Sequence, residues 1–193
     1  METKLTDRKN TIIESKNIYI NELNLTNYSP EYHHWLNDPN VNRYLESRFK
    51  RYTNDDIKKY IKQMLQSDNN YLFGIFIKSS NEHIGNIKIG EINHYHKFAD
   101  IGLLIGNVNY WGKGFGTESI YCASIYAFDV IKLNKLTAGM YENNFGSYKS
   151  FVKMGFREVG RYFNHCFFDT DYVDKYILEL LKKNFEKIEK DNN

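Results

Sequence analysis

One stretch of the chain decides the fold: residues 99–117 read ADIGLLIGNVNYWGKGFGT. Ala99 to Ile105 is nearly all apolar, which predicts a strand buried on both faces. The loop Gly112 to Gly116 follows, and an amphipathic helix is predicted from Thr117. A helix N-terminus has unpaired amides and a partial positive charge, and glycines let a phosphate approach those amides without a Cβ in the way. The stretch therefore predicts a pyrophosphate cradle; a glycine-rich tight turn that holds no ligand is the alternative.

The spacing of the glycines narrows the choice of phosphate ligand. A dinucleotide fold needs Gly-x-Gly-x-x-Gly and an acidic residue about 20 positions further on. This loop has Gly112-x-Gly114-x-Gly116, and Asn134 stands 20 positions beyond Gly114. The ATP and GTP loop needs Gly-Lys-Ser or Gly-Lys-Thr, whereas Lys113 is followed by Gly114. The loop thus fits a dinucleotide site poorly and the ATP and GTP loop not at all.

The rest of the chain alternates strand and helix patterns around this stretch. Thr53 followed by Asp56 predicts a capping box for a helix whose apolar face runs from Ile57 to Leu65. With no repeat or linker, we expect one α/β domain over 13–185, between a flexible N-terminus at 1–12 and a polar C-terminal tail at 186–193. Further strands are predicted at 18–23, 71–77, 83–89, 135–141 and twice within 156–180, and further helices near 32–36, at 147–153 and as a last turn after Leu181.

The composition mainly excludes classes of protein. The chain has 193 residues with 26 Lys+Arg against 24 Asp+Glu, and a formal charge of +2 argues against a dedicated nucleic-acid binder. There is no apolar run of about 18 residues and no apolar segment at the start, so we expect no membrane span, no signal peptide and a cytoplasmic location. Cys122 and Cys166 lie in apolar surroundings, which predicts buried thiols, and the six His form no metal-binding pattern. We expect a monomer or a homodimer.

Two motifs in this order resemble the GNAT acetyltransferases. The first is Ile101-Gly102 followed by Tyr110 to Glu118, and the second is Asn144-x-x-Ser147 with Lys153-Met154-Gly155-Phe156. The resemblance covers Ile18 to Leu180 and points in particular to the Rim-type branch, which includes ribosomal-protein N-terminal acetyltransferases. It implies a mixed, mostly antiparallel sheet, flanked by helices and splayed near its middle, that holds acetyl coenzyme A (acetyl-CoA) in the gap, with no metal.

The resemblance also implies how coenzyme A is bound. The family's loop, Gln/Arg-x-x-Gly-x-Gly/Ala, falls on Trp111, Gly114 and Gly116, so Trp111 replaces the polar first residue, a change common in the Rim-type branch. Loop amides would bind the pyrophosphate, the end of the strand would pair with the pantetheine arm, and an amide near Leu103 or Leu104 would stabilise the oxyanion. The expected contacts are Leu103, Leu104, Ile105, Trp111, Gly112, Lys113, Gly114, Phe115, Gly116, Thr117 and Asn144.

Acetyl transfer to an amine needs a neutral amine and a proton for the leaving thiolate. Many GNAT enzymes supply that proton from a tyrosine seven residues after the motif's Asn, where this chain has Phe151. Ser147 resembles the Rim-type donor and is expected to act directly or through a water, although Ser is also a preferred N-cap. As base we expect Asp100 first, then Glu91, then His94, each able to work through water. No base is required if the bound amine has a lowered pKa.

The acceptor is expected to contact Trp35, Tyr44 and His94. Trp35 fits a core anchor of its helix better than a substrate platform, and the aromatic run 162–168 predicts either a strand pair or a roof over the acceptor. The run 92–97 is similar to family members acting on amino sugars or polyamines, so the leading hypothesis is N-acetylation of a small polar amine such as a nucleotide-linked amino sugar. Protein N-termini, and drug or polyamine amines, are alternatives. A non-catalytic coenzyme A-binding module is a further one.

Overall fold

The computed structural model describes residues 11–192, so most of the expected flexible segment 1–12 lies outside the described residues. The strands are β1 (Ile13–Glu14), β2 (Ile18–Glu22), β3 (Tyr71–Ile77), β4 (His83–Asn93), β5 (Phe98–Ile105), β6 (Lys135–Tyr141), β7 (Arg157–Phe168) and β8 (Asp171–Leu181). The helices are α1 (Glu31–Asn37), α2 (Pro39–Asn42), α3 (Asn54–Gln66), α4 (Phe115–Ile125), α5 (Phe145–Lys153) and α6 (Lys182–Asn192). Short 3₁₀ turns occupy Glu46–Phe49 and Val108–Tyr110, and α4 continues as a π turn over Tyr126–Val130.

The strands form one mixed sheet in the order β1-β2-β3-β4-β5-β6-β8-β7. All neighbours are antiparallel except β5 and β6, which are parallel. This confirms the predicted single α/β domain with a mostly antiparallel sheet. The aromatic run 162–168 belongs to β7, which pairs with β8 across an irregularity between Tyr162 and Cys166.

The parallel pair is short, and it opens the sheet. Phe98 to Asp100 pair with Lys135 to Thr137, and no pairing between β5 and β6 continues beyond them. β5 nevertheless extends to Ile105 and β6 to Tyr141. The two strands therefore splay apart near the middle of the sheet, as the resemblance implied, and leave a gap between them.

The two faces of the sheet are covered unequally. One face carries the main core, in which α4, α5 and α6 pack on residues such as Ile87, Ile101 and Leu178. On the other face, α1 to α3 pack with Leu72 and Phe76 on the β2 to β4 side of the sheet. The prediction that β5 is buried on both faces is wrong: Ala99 and Ile101 are buried, but Asp100 and Gly102 are exposed, because no helix covers their side of the strand.

Two helix ends bear on the predictions. The capping box is confirmed, since Thr53 Oγ1 accepts from the Asp56 amide at 3.1 Å and Asp56 Oδ2 accepts from the Thr53 amide at 2.9 Å. At the C-terminus, α6 runs over residues 182–192, where the sequence predicted a last helical turn after Leu181. Phe185 packs α6 against the main core, because the residue is 1% exposed and its ring lies 5.4 Å from the ring of Phe128.

Candidate active site

The glycine loop leads into α4 with the geometry of an anion cradle. Gly112 and Gly114 have φ angles of 71° and 87°, in the left-handed region that favours glycine. The amide of Glu118 donates to Gly114 O at 3.0 Å, so the amides of Phe115 to Thr117 have no partner within the helix. No atom lies within 4 Å of where a Cβ would stand at Gly112 or Gly114. The residues present therefore fit a pyrophosphate approaching the start of α4.

Side chains around the glycine loop fix it to the sheet and bind the carboxylate of Glu118, the acidic residue in the first turn of α4. Trp111 Nε1 donates to Ile105 O at 2.8 Å, which fixes the loop to the end of β5. Glu118 lies in the first turn of α4, but its carboxylate accepts from Ser15 Oγ at 2.6 Å and from Asn17 Nδ2 at 2.7 Å. Burial works to raise the pKa of Glu118, yet these hydrogen bonds outweigh it and lower the pKa. The turn between β1 and β2 thus supplies the hydrogen-bond donors to the carboxylate of Glu118.

The free edge of β5 offers alternate peptide groups to the gap. The Gly106 amide donates to Ile84 O at 2.8 Å, next to the register pair Ile105 and Gly85. In an antiparallel ladder this pattern turns the peptide groups of Leu103 and Ile105 away from β4 and those of Leu104 toward it. Leu103 can therefore bond an extended arm in the gap, whereas Leu104, expected to do the same, faces β4. Trp111 already occupies the carbonyl of Ile105.

Helix α5 borders the other side of the gap. Its N-cap is Asn144, whose Oδ1 accepts from the Ser147 amide at 3.3 Å, so the alternative of Ser147 as the N-cap is wrong. A Cβ at Gly116 would lie 3.3 Å from Leu103 Cδ2 and 3.5 Å from Ser150 Oγ. Ser147 shares a helix face with Ser150, because residues three apart are neighbours on a helix. The glycine loop, β5 and the Ser147 face of α5 thus meet along one gap.

Among the hydroxyl groups described on α5, that of Ser147 has no bonded partner. Phe151 is 2% exposed and packs edge-on against Phe156, so it offers the gap neither a hydroxyl nor a polar edge. Tyr148 donates its hydroxyl to Glu158 at 3.2 Å, and Ser150 donates to Gly146 O at 2.9 Å. Ser147 is therefore the free hydroxyl on this face.

A cavity of about 450 Å³ lies at the closed end of the gap, on the face of the sheet that α1 to α3 leave open. Its floor is one register row in which Gly90 pairs with Asp100 and Asp100 pairs with Thr137. Thr137 Oγ1 lies 3.3 Å from Asp100 Oδ2. The lining residues are Lys88, Gly90, Glu91, Phe98, Asp100, Gly102, Thr137, Gly139 and Lys175.

The environment of Asp100 raises its pKa to about 6. The largest cause is desolvation, because the carboxylate lies on the floor of a cavity, where fewer waters surround it than on an open surface. The residue as a whole is nevertheless exposed to solvent. The hydrogen bond from Thr137 and the charges of Lys175 and Lys88 act the other way, and Glu91 adds to the rise. Asp100 is thus a carboxylate that changes charge near neutral pH.

Glu91 reaches the same cavity because of an irregularity in β4. Strand alternation would place its side chain on the face opposite Gly90. The register between β4 and β5 shifts between Gly90 and Asn93, and Glu91 has a φ of 52°, which is rare for a residue with a Cβ. The bulge brings a second carboxylate beside Asp100.

The three expected acceptor contacts lie outside this cavity. His94 is on the exposed turn between β4 and β5, where its Nε2 lies 3.1 Å from Asn69 Oδ1. Trp35 is 7% exposed and borders a separate cavity of about 480 Å³ with His83, so it is a core anchor, as the sequence favoured. Tyr44 stacks on Phe168 at 5.2 Å.

Sequence reasoning proposed only Asp100 and Glu91 among the nine residues that line the cavity. Thr137 and Gly139 alternate with buried Leu136, Ala138 and Met140 in β6, a period-two pattern that could have revealed an open face. Lys88 and Lys175 carry no comparable signal, because strand pairing alone brings them together. The missed residues are Lys88, Gly90, Phe98, Gly102, Thr137, Gly139 and Lys175.

Three findings concern the cysteines, metal sites and membrane spans of the described residues. Cys122 and Cys166 are free, buried thiols, as predicted. Within that part of the chain, no three His, Cys, Asp or Glu side chains gather as a metal ion would require. Nor is any described helix long and apolar enough to cross a bilayer.

Comparison with known proteins gives the family. The model of the acetyltransferase (GNAT) domain family matches residues 20–157, well over half of the chain. The chain therefore belongs to the GNAT acetyltransferase family and carries an acyltransferase domain.

Individual relatives place it within that family. It is 27% identical to the probable N-acetyltransferase YjcK of Bacillus subtilis over 91% of this chain and 100% of that protein. It is 29% identical to the spermidine N(1)-acetyltransferase of Escherichia coli over 50% of this chain and 51% of that enzyme. Among its curated relatives, the matched region thus ranges from half of the relative to its whole length. The fold is similar to the spermidine N-acetyltransferase of Vibrio cholerae solved with CoA and spermine, with a TM-score of 0.78, 21% identity, and coverage of 88% of this chain and 98% of that one.

Proposed function

We propose that this chain moves the acetyl group of acetyl-CoA directly to the amine of a small polar acceptor. The observation that carries the proposal is the order of features along one gap. A glycine cradle at the start of α4, a free edge of β5 and a cavity that contains Asp100 follow one another. Acetyl-CoA supplies an activated thioester; the chain supplies placement, which can lower the barrier by about 7 to 11 kcal/mol.

The chain binds the donor mainly through backbone groups. The amides of Phe115 to Thr117 hold the pyrophosphate, and the carbonyl of Leu103 accepts a hydrogen bond from the pantetheine arm. Asn144 binds the same arm from α5 through its amide nitrogen, since its oxygen already accepts from Ser147. The amide of Leu103 also points into the gap, where it can donate to the developing oxyanion.

Two side chains move protons during the transfer. Asp100 takes a proton from the acceptor amine, directly or through cavity water, and passes it to solvent. When the N–C bond forms, the nitrogen still carries one proton more than the amide product. As the C–S bond breaks, this proton passes through water to Ser147, which, itself or through that water, delivers a proton to the leaving sulfur.

The acceptor we propose is a small polar amine, such as that of a nucleotide-linked amino sugar. Within the family, we place this chain in the Rim-type branch, because Ser147 lies three residues after Asn144, the position that resembles the proton donor of that branch. A polyamine is the second candidate, favoured by the E. coli relative that is named for spermidine acetylation.

The test measures free thiol released from acetyl-CoA with a panel of amines. The panel contains an amino sugar, spermidine, an aminoglycoside and a peptide with a free N-terminus. We expect release that depends on the amine and a product that is heavier by one acetyl group. Tight coenzyme A binding with no release for any amine would contradict the proposal and favour a non-catalytic binding module.

A further inference from the structure

The acceptor cavity contains two ammonium groups that remain unpaired. Lys88 and Lys175 are half-buried, yet neither takes part in any ion pair found among residues 11–188. By contrast, Lys135, which lies nearby on β6, is 3.5 Å from the carboxylate of Glu179. A half-buried cation that forms no ion pair within the protein is available to bind an anion.

Each of these lysines lies across a glycine. A Cβ at Gly90 would be 2.5 Å from Lys88 Cε, and a Cβ at Gly139 would be 2.6 Å from Lys175 Cε. The missing side chains therefore leave the room in which the two aliphatic stems lie flat on the sheet. Both ammonium groups thus lie over the cavity floor.

The two lysines flank the proposed base. Gly90 is the register partner of Asp100, and Lys88 is the partner of Gly102 on the same face. Lys175 crosses Gly139, two residues beyond Thr137, which pairs with Asp100 on the other side. Both cations act on the carboxylate of Asp100.

The lysines cannot serve the pyrophosphate cradle instead. From Gly102 the strand continues to Ile105 and then through a loop before Gly112. Three strand residues span about 10 Å, so Gly102 lies about that far from the end of the strand that leads to the glycine loop. Lys88 also folds back over Gly90, away from the glycine loop.

We propose that the acceptor is an amine that also carries an anionic group, a carboxylate or a phosphate, which Lys88 and Lys175 bind. The inference rests on the proposed function and specifies its substrate class. Two carboxylates and two ammonium groups line the cavity, so it is complementary to a molecule with both charges. A spermidine-like amine would bring only further positive charge beside the two lysines.

Pairs of acceptors that differ in the anionic group test this directly. Glucosamine is compared with glucosamine 6-phosphate, glycinamide with glycine, and spermidine is included. We expect kcat/KM to be at least about tenfold higher for one anionic member than for its neutral partner, since charge-assisted hydrogen bonds are strong. The phosphate and carboxylate pairs separate the two sources of the anion.

Variants of the cavity assign the preference to the lysines. Lys175→Met should reduce kcat/KM for the anionic acceptor about tenfold to a hundredfold and leave the neutral partner within about threefold. Gly139→Ala keeps both charges but displaces the stem of Lys175, so it should lower the preference by a smaller factor. Lys62→Met, on the exposed face of α3, is the matched control and should change neither value. Coenzyme A affinity, measured for every variant, reports intact folding.

The possible outcomes separate this inference from the function on which it rests. No turnover with any amine overturns both. Turnover that favours spermidine or the neutral partners overturns the inference alone. An anionic preference that survives in Lys175→Met and in Lys88→Met, with coenzyme A binding intact, also overturns it. Loss of the preference in these variants, but not in Lys62→Met, supports it.

Discussion

Replacing Asp100 by Asn should make the protein more stable and much less active. If Asp100 is the base, it must be ionised to work, so kcat/KM of the natural chain should rise as pH increases through about 6. Asn has a similar shape and can still accept from Thr137, but it cannot take a proton. We expect a loss of kcat of about a hundredfold to ten-thousandfold. The residual kcat/KM should no longer rise as pH increases through about 6.

The stability effect follows from the raised pKa. Between pH 3.8 and about 6 the folded state holds the proton of Asp100 more tightly than the unfolded state does, so stability falls as pH rises through this window. A full shift of that size corresponds to about 3 kcal/mol, but Asp100 is exposed and its charge is screened, so we expect about 1 kcal/mol. Asp100→Asn should therefore gain about 1 kcal/mol at pH 8, or about 2–4 °C in Tm, and nothing at pH 3.

Thermal melts at pH 3 and pH 8, together with thiol release from pH 5 to pH 9, measure both effects. Asp55→Asn is the control, because Asp55 is an exposed carboxylate at the start of α3, and it should leave the activity profile unchanged. If Asp100→Asn keeps the kcat of the natural chain and the rise of kcat/KM near pH 6, another group is the base. A variant less stable at pH 8 would show that the charge of Asp100 is favourable in the fold.

Three other substitutions probe separate parts of the molecule. Gly114→Asp adds both a Cβ at a φ of 87° and a negative charge at the cradle, so the Kd for coenzyme A, by calorimetry, should rise at least about tenfold; an unchanged Kd would rule out the cradle. Ser147→Ala should lower kcat with little change in that Kd, whereas full activity would remove Ser147 from the mechanism. Thr53→Ala should lower the free energy of unfolding by about 1 kcal/mol in urea titration and leave kcat unchanged, and equal stability would show that the capping box contributes little.

Local features of the fold could be predicted because neighbouring residues determine them. The capping box depends on Thr53 and Asp56 alone, and the start of α4 on the glycines that precede it. The burial of β5 could not be predicted in this way. Its apolar sequence indicates a core strand, but how far α1 to α3 extend over the sheet depends on packing with β3, and they leave Asp100 and Gly102 uncovered.

The same limit applies to the site. Asp100 could be proposed from sequence because it lies in the strand that leads to the glycine loop. His94 was proposed because it is close to Asp100 in sequence. It lies on a turn, where its ring hydrogen-bonds with Asn69, and it is not among the residues that line the cavity. Lys175 reaches the cavity through the pairing of β6 with β8, which links residues far apart in the chain.

In the function and substrate class that we propose, the two ends of the gap recognise their ligands by different chemistry, and this difference bears on how the acceptor can change. The donor end uses backbone amides, so most side-chain substitutions there leave phosphate binding intact unless they replace a glycine such as Gly114. The acceptor end uses side-chain charges on a sheet face that no helix covers. Few packing contacts depend on those side chains, so the charges of Lys88 and Lys175 can be altered with little cost to the core. A single fold can thus keep its donor and exchange its acceptor class, so the proposed preference for anionic amines is compatible with a relative that bears the name of a spermidine acetyltransferase.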